Sequence, residues 1–140
     1  MNKRVYRVID ANFNRAREGL RVCEEFARFF LNDKVLTENA KKIRNRIGKL
    51  YGRLSGKKGL LISARNVASD VGKIGFHFER DRSAVTDVFW ANIQRSKEAL
   101  RVLEEFIKLD NTEISDKFRI LRFHAYDLEK KVFKKLKGLK

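Results

Sequence analysis

"VIDANFNRAREGLRVCEEF", Val8 to Phe26, returns 80 positions later as "VFWANIQRSKEALRVLEEF", Val88 to Phe106. In that register Asn12 falls on Asn92, Arg15 on Arg95 and Glu18 on Glu98. Leu20, Arg21, Val22, Glu24, Glu25 and Phe26 fall on Leu100, Arg101, Val102, Glu104, Glu105 and Phe106. So many identities in one short window indicate an internal duplication. Apolar residues recur three and four apart at Val5, Val8, Ile9, Phe13, Ala16, Leu20, Cys23, Phe26, Ala27 and Phe30. That spacing predicts an amphipathic helix over about Val5 to Leu31 and its counterpart over about Ala84 to Leu109.

Each copy is followed by a second periodic segment. "LTENAKKIRNRIGKLYGRL" offers Thr37 as an N-cap and sets Ile43, Ile47, Leu50 and Leu54 on one side, while Gly52, Gly56 and Gly59 mark its end. After a turn at "DNTE", "EISDKFRILRFHAYDLEKKVFKKL" supplies the fourth helix, and Ile43-Arg44 and Leu50 align weakly with Leu121-Arg122 and Leu128. The stretch from Gly56 to Arg82 is the least regular, and reads as a short helical turn followed by extended chain. The expected fold is all-α: a four-helix bundle made from a duplicated αα-hairpin, with halves over about 5–55 and 84–136 and a long central loop over 56–83.

At 140 residues and 43% hydrophobic, the chain has the length of about one domain with one modest core. No run of about 18 apolar residues occurs, and "MNKRVYRVID" lacks an apolar stretch before a small-residue cleavage site. Neither a membrane span nor a secretory leader is expected, and the expected location is the cytoplasm. The lone Cys23 falls at a helical core spacing and reads as a small buried apolar residue. A formal charge of +15 attracts polyanions: nucleic acid, an acidic membrane surface or a multiply phosphorylated small molecule. Part of it lies in "EKKVFKKLKGLK", a lysine-rich helix end that solvation explains by itself.

The polar residues inside the repeat carry more information. On a helical wheel Asn12 stands in the middle of the stripe formed with Ala16, Gly19, Cys23 and Phe26, and Arg15 lies within the same arc. Glu18 and Glu25 lie on its edge, while Arg17, Arg21 and Glu24 point away. A guanidinium on a packed face needs an anionic or hydrogen-bonding partner. Two arrangements satisfy that need. One is an internal network of Arg15 with Glu18 and Asn12, mirrored by Arg95, Glu98 and Asn92, that pins helix register. The other is a polar cavity between the hairpins that holds an anionic ligand, with small Gly19 and Ala99 leaving room for it.

Familiar catalytic signatures are missing. "GRLSGKKG" is one residue short of a phosphate-binding loop and has Lys-Lys where Lys-Ser/Thr is required. His77 and His124 have no metal-ligand spacing. "ARNVASDVGK", Ala64 to Lys73, does gather an Arg, an Asp and a Gly in the one long loop of a helical chain.

Taken in order, "ANFNRAREGLRVCEEFARF", "ARNVASDVG", "ANIQRSKEALRVLEEFIKL" and "LRFHAYDLEK" resemble the small, all-helical hydroxymethylpyrimidine-phosphate kinase family of thiamine biosynthesis. That family occurs alone or fused ahead of thiamine-phosphate synthase, and the resemblance spans about residues 4 to 131. It implies ATP-dependent phosphorylation of hydroxymethylpyrimidine monophosphate to the diphosphate, with Mg²⁺. A chain of 140 residues is too short to hold the (β/α)8 barrel of the synthase as well.

Such a reaction suits the composition. The attacking oxygen belongs to a phosphate already mostly ionised at neutral pH, so no general base has to remove an alcohol proton. What remains is to bring two anions together, which positioning and cationic charge accomplish. Side-chain chemistry then assigns phosphate binding to Arg15, Arg95 and Arg65, magnesium to Asp70 with Glu18 or Glu98, and the aminopyrimidine edge to Asn12 or Asn92. Arg122, inside the last motif, joins the expected binding residues. Two rivals remain: a basic helical module coating nucleic acid, for which some nonspecific, salt-sensitive binding is expected in any case, and a dimerisation module. Exposed aromatics such as Phe76, Phe78 and Trp90 leave a homodimer open, and no membrane partner is expected.

Overall fold

Helix α1, Lys3–Glu25, continues through one π-helical turn, Phe26–Phe30, and α2 spans Lys34–Arg53. A short α3, Lys58–Ala64, precedes α4, Val85–Ile107, and α5, Thr112–Gly138. The computed structural model describes residues 3–54, 58–73 and 84–138, and among them there is no β-strand. The extended chain expected after the central turn, with Phe76, His77 and Phe78, lies outside the described residues.

The four long helices form a closed ring. Helix α1 packs on α2 and, most extensively, on α4; α5 packs on α4 and α2; and α3 leans on α1 alone among the larger contacts. Gly19 opposes Ser96 and Phe26 meets Phe89 at 5.3 Å between ring centroids, so α1 and α4 run antiparallel. A pseudo-two-fold axis therefore crosses between the two copies of the repeat. One hydrophobic core fills the ring, from Ile9, Leu20 and Phe26 on α1 to Phe118, Leu128 and Val132 on α5. Trp90 is half-buried against this core, contrary to the expectation of exposure, because its indole packs edge-on to Phe89.

Helix ends follow local chemistry. The first hairpin turns at Asn32, which takes φ 50°, while the Asp33 N–H donates back to the Ala27 carbonyl. This is a C-terminal motif in which Asn tolerates the left-handed conformation. The cap of α2 is Asp33 and not Thr37: the Asp33 carboxylate accepts from the Leu36 N–H at 2.9 Å. Thr37, one turn inside, donates its hydroxyl to the Asp33 carbonyl. The offset between halves shortens from 80 for Glu24 and Glu104 to 78 for Arg44 and Arg122. The π-helical turn and the Asn32 corner sit in that interval of the first hairpin. Among the described residues no helix is long and apolar enough to cross a membrane.

Candidate functional site

The site begins with a missing side chain. A β-carbon at Gly19 would come within 2.8 Å of the Asn92 carbonyl oxygen and collide with the Ser96 hydroxyl. Ser96, fully buried, donates that hydroxyl across the helices to the Ala16 carbonyl at 3.2 Å. Close approach of the two backbones turns the polar rows of both repeats toward one open cleft of about 600 Å³, lined by Asn12, Arg15, Glu18, Asn92, Arg95 and Glu98. Gly19, Ala99 and Gly72 complete the lining. Gly19 thus makes room by letting backbones meet, as well as by being small.

Within the cleft the two halves repeat one another. Asn12 Nδ2 donates to the Val8 carbonyl at 2.9 Å, and Asn92 Nδ2 to the Val88 carbonyl at 2.7 Å. Each carboxamide spends one N–H on its own helix. Arg15 and Arg95 are exposed at the rim, where the wheel placed Arg15 on a packed face. Neither forms an ion pair among the described residues, so of the two arrangements open to them the internal network of Arg15 with Glu18 and Asn12 is not formed there. Glu98 accepts from Gln94 at 2.8 Å.

The loop after α3 is fastened to α1 through Asp10, a residue that sequence reasoning passed over. Arg65 grips the buried Asp10 with two bonds of 2.7 Å, Nε to Oδ2 and Nη2 to Oδ1. This bidentate bond and the carboxylate charge hold the guanidinium above its usual range. Asp10 and burial together push the Tyr51 phenol up, burial being the larger influence. Asn66 and Asp70 shape the loop by accepting from the Ser69 N–H and the Gly72 N–H at 3.1 and 2.8 Å. A second cleft of about 370 Å³ opens under it, with Arg4, Arg7, Asn14, Arg65 and Asp70 in its lining. It shares Asn12 and Arg15 with the first. A spacing of three, four and four through Arg4, Arg7, Ala11 and Arg15 signals one helix face and could have revealed this cleft.

Glu18 and Glu98 border the first cleft and Asp70 the second. Among the described residues no three His, Cys, Asp or Glu side chains gather as a metal cage. Magnesium needs no such cage, since it retains water and binds through one or two carboxylates together with substrate phosphates.

Other polar residues have structural roles. Arg122 borders neither cleft; it pairs with the buried Glu104 at 3.4 Å and lies over the Phe123 ring. In the first hairpin Arg44 holds Glu24 in the same way, at 3.1 Å. Glu24 was expected to point away, yet α2 covers it. Arg17 is likewise half-buried, its guanidinium against Gly48 and over the Phe13 ring at 5.6 Å.

Duplicated helical hairpins closed into a ring, with an arginine from each repeat at a shared cleft, define a class of small helical proteins built around a pseudo-two-fold axis. The sequence profile of the ThiD2 family matches residues 7–131, and the chain belongs to that family. It is 41% identical over 128 residues to a thiamine-phosphate synthase of Thermosynechococcus vestitus, covering 91% of this chain and 35% of that protein. Against the thiamine-phosphate synthase of Nostoc punctiforme the identity is 40% over 126 residues, covering 89% and 34%. For that of Rhodopirellula baltica it is 36% over 139 residues, covering 99% and 36%. The chain thus spans about a third of the length of these curated relatives. No solved structure matches it.

Proposed function

We propose that the protein acts in thiamine biosynthesis as a kinase, transferring the terminal phosphoryl group of ATP to hydroxymethylpyrimidine monophosphate to give the diphosphate. Support comes from membership of the ThiD2 family and from relatives named thiamine-phosphate synthase. The observation that carries the reading is the shared cleft, where Arg15 and Arg95 face open space without an ion pair among the described residues. Free guanidiniums at one edge suit a ligand with several phosphate oxygens.

In this reading Arg15 and Arg95 bind the phosphates between which transfer occurs, and Arg65, paired with Asp10, holds the loop beside them. Asn12 or Asn92 contacts the aminopyrimidine edge. Glu18 or Glu98, with Asp70, would hold Mg²⁺, which neutralises charge on the transferring group. No protein base is needed, because the acceptor oxygen is already ionised. Paired arginines without a base also disfavour the unphosphorylated alcohol as substrate.

A coupled assay with ATP, Mg²⁺ and hydroxymethylpyrimidine monophosphate tests the reading by formation of the diphosphate. Arg15→Ala and Arg95→Ala should each lower kcat/KM by at least about tenfold. Absence of diphosphate with the wild-type protein, or near-native kinetics in both variants, would refute it.

A further inference from the structure

The pseudo-two-fold axis relates Arg15 to Arg95, but the surroundings of the two arginines differ. Upstream of Arg15 on the same face of α1 stand Arg7 and Arg4, a row extending about 16 Å at the helical rise. The corresponding positions before Arg95 are Asp87 and Ala84. Asp87 is committed to the start of α4, its carboxylate accepting from the Ala84 N–H at 2.9 Å. Among the described residues, one side of the axis therefore carries three guanidiniums on one helix face, and the other a single guanidinium followed by a carboxylate.

The loop after α3 reinforces this asymmetry. It packs on α1, fixed by the Arg65–Asp10 fork, and Arg7 donates to the Asn66 carbonyl at 3.4 Å. Between row and loop lies the second cleft of about 370 Å³, which meets the shared cleft at Asn12 and Arg15. Its lining includes Arg4, Arg7, Arg15 and Arg65 against Asp10 and Asp70, and Arg65 already offsets Asp10. The remaining excess is positive and is arranged in a line, as a chain of linked phosphates requires. A single phosphate would need one fork.

We propose that the row Arg4, Arg7, Arg15, covered by Arg65 and Asn66, is a polyphosphate subsite that takes the triphosphate of the nucleotide, and that the acceptor monophosphate occupies the Arg95 side of the axis. The assignment rests on the kinase reading and gives its site a direction: the nucleotide enters beneath the α3 loop, and its terminal phosphate reaches the axis at Arg15. Duplication supplied two similar halves; Arg4 and Arg7 in one and Asp87 in the other separate donor from acceptor.

The test compares Arg4→Gln/Arg7→Gln with a charge-matched control, Lys134→Ala/Lys137→Ala, on the exposed face of α5. Calorimetric titration with inorganic tripolyphosphate should show binding weakened at least about tenfold by the first and less than about threefold by the second. In the kinase assay the first variant should raise KM for ATP about tenfold and leave KM for the pyrimidine monophosphate within about twofold. Equal weakening by both variants, or a rise confined to the pyrimidine KM, overturns the assignment. Should the wild-type protein form no diphosphate yet bind tripolyphosphate through Arg4 and Arg7, the subsite stands and the kinase reading falls. Matching thermal unfolding midpoints for variant and wild type confirm that folding is intact.

Discussion

Arg65 closes on Asp10 through two parallel hydrogen bonds of 2.7 Å, joining the loop after α3 to the middle of α1. Only a guanidinium makes that fork, so Arg65→Lys should behave as a loss and not as a conservative exchange. We expect Arg65→Lys and Asp10→Asn each to lower stability by about 1–3 kcal/mol in urea unfolding. Both should also reduce kcat/KM, although Asp10→Asn leaves every cleft arginine in place. Unchanged kinetics in Asp10→Asn would mean that loop position is immaterial to the reaction.

Gly19→Ala should destabilise the protein by about 1–3 kcal/mol, because the new β-carbon meets both a hydroxyl and a backbone carbonyl. Adding Ser96→Ala removes the hydroxyl but not the Asn92 carbonyl. The double variant should therefore recover only part of the loss, as denaturant midpoints will report. Full recovery would show that α4 shifts freely.

Arg122 and Arg44 separate structure from catalysis. Each pairs with a buried glutamate of its own hairpin, Glu104 and Glu24. Arg122→Ala leaves the buried Glu104 carboxylate with the more exposed Arg101 at 3.4 Å, and should cost about 1–3 kcal/mol. Its effect on KM, measured where the variant remains folded, should stay within about twofold. A large KM effect would return Arg122 to the binding residues.

Asp33 caps α2, and its bond from the Leu36 N–H, helped by Lys135, holds its carboxyl below the usual range. Asp33→Ala should cost about 1 kcal/mol at neutral pH. A lowered folded-state pKa stabilises above the unfolded value and loses its effect as pH falls through the folded one. The wild-type advantage should thus shrink as pH drops below about 4, which unfolding midpoints across pH can follow.

Cys23 lies in the core, where burial pushes its thiol up to about 12. A disulfide reagent at pH 8 should leave the native protein unlabelled and label the unfolded chain stoichiometrically. Because the folded state retains this proton longer, the thiol contributes stability that is lost as pH rises from about 9 toward 12. Rapid native labelling would place Cys23 at the surface.

The repeat was legible because Asn12, Arg15 and Glu18 recur as Asn92, Arg95 and Glu98 in one unbroken register. That register also foretold which residues share a cleft. Burial was read less well, since a wheel centred on Asn12 allows for one packed face, whereas α1 packs against α2, α3 and α4. Glu24 therefore looked solvated though α2 covers it, and Arg15 looked packed though it stands at a rim. Asp10 left no trace in the repeat, because its counterpart is Trp90 and its partner Arg65 lies in the unduplicated loop. Arg4 and Arg7 escaped notice for the same reason: alignment of halves highlights what they share, and these two are what they do not.

The hydroxyl-to-backbone contact of Ser96 with Ala16 and the close approach at Gly19 set how near α1 and α4 stand. The separation of Arg15 and Arg95 is then a fixed gauge, set by the main chain and independent of whatever lies between them. A ligand must suit that gauge on arrival, and adaptation falls to long side chains at the rim. Selectivity among phosphorylated compounds should accordingly follow their length and the spacing of their charges more than the identity of their rings.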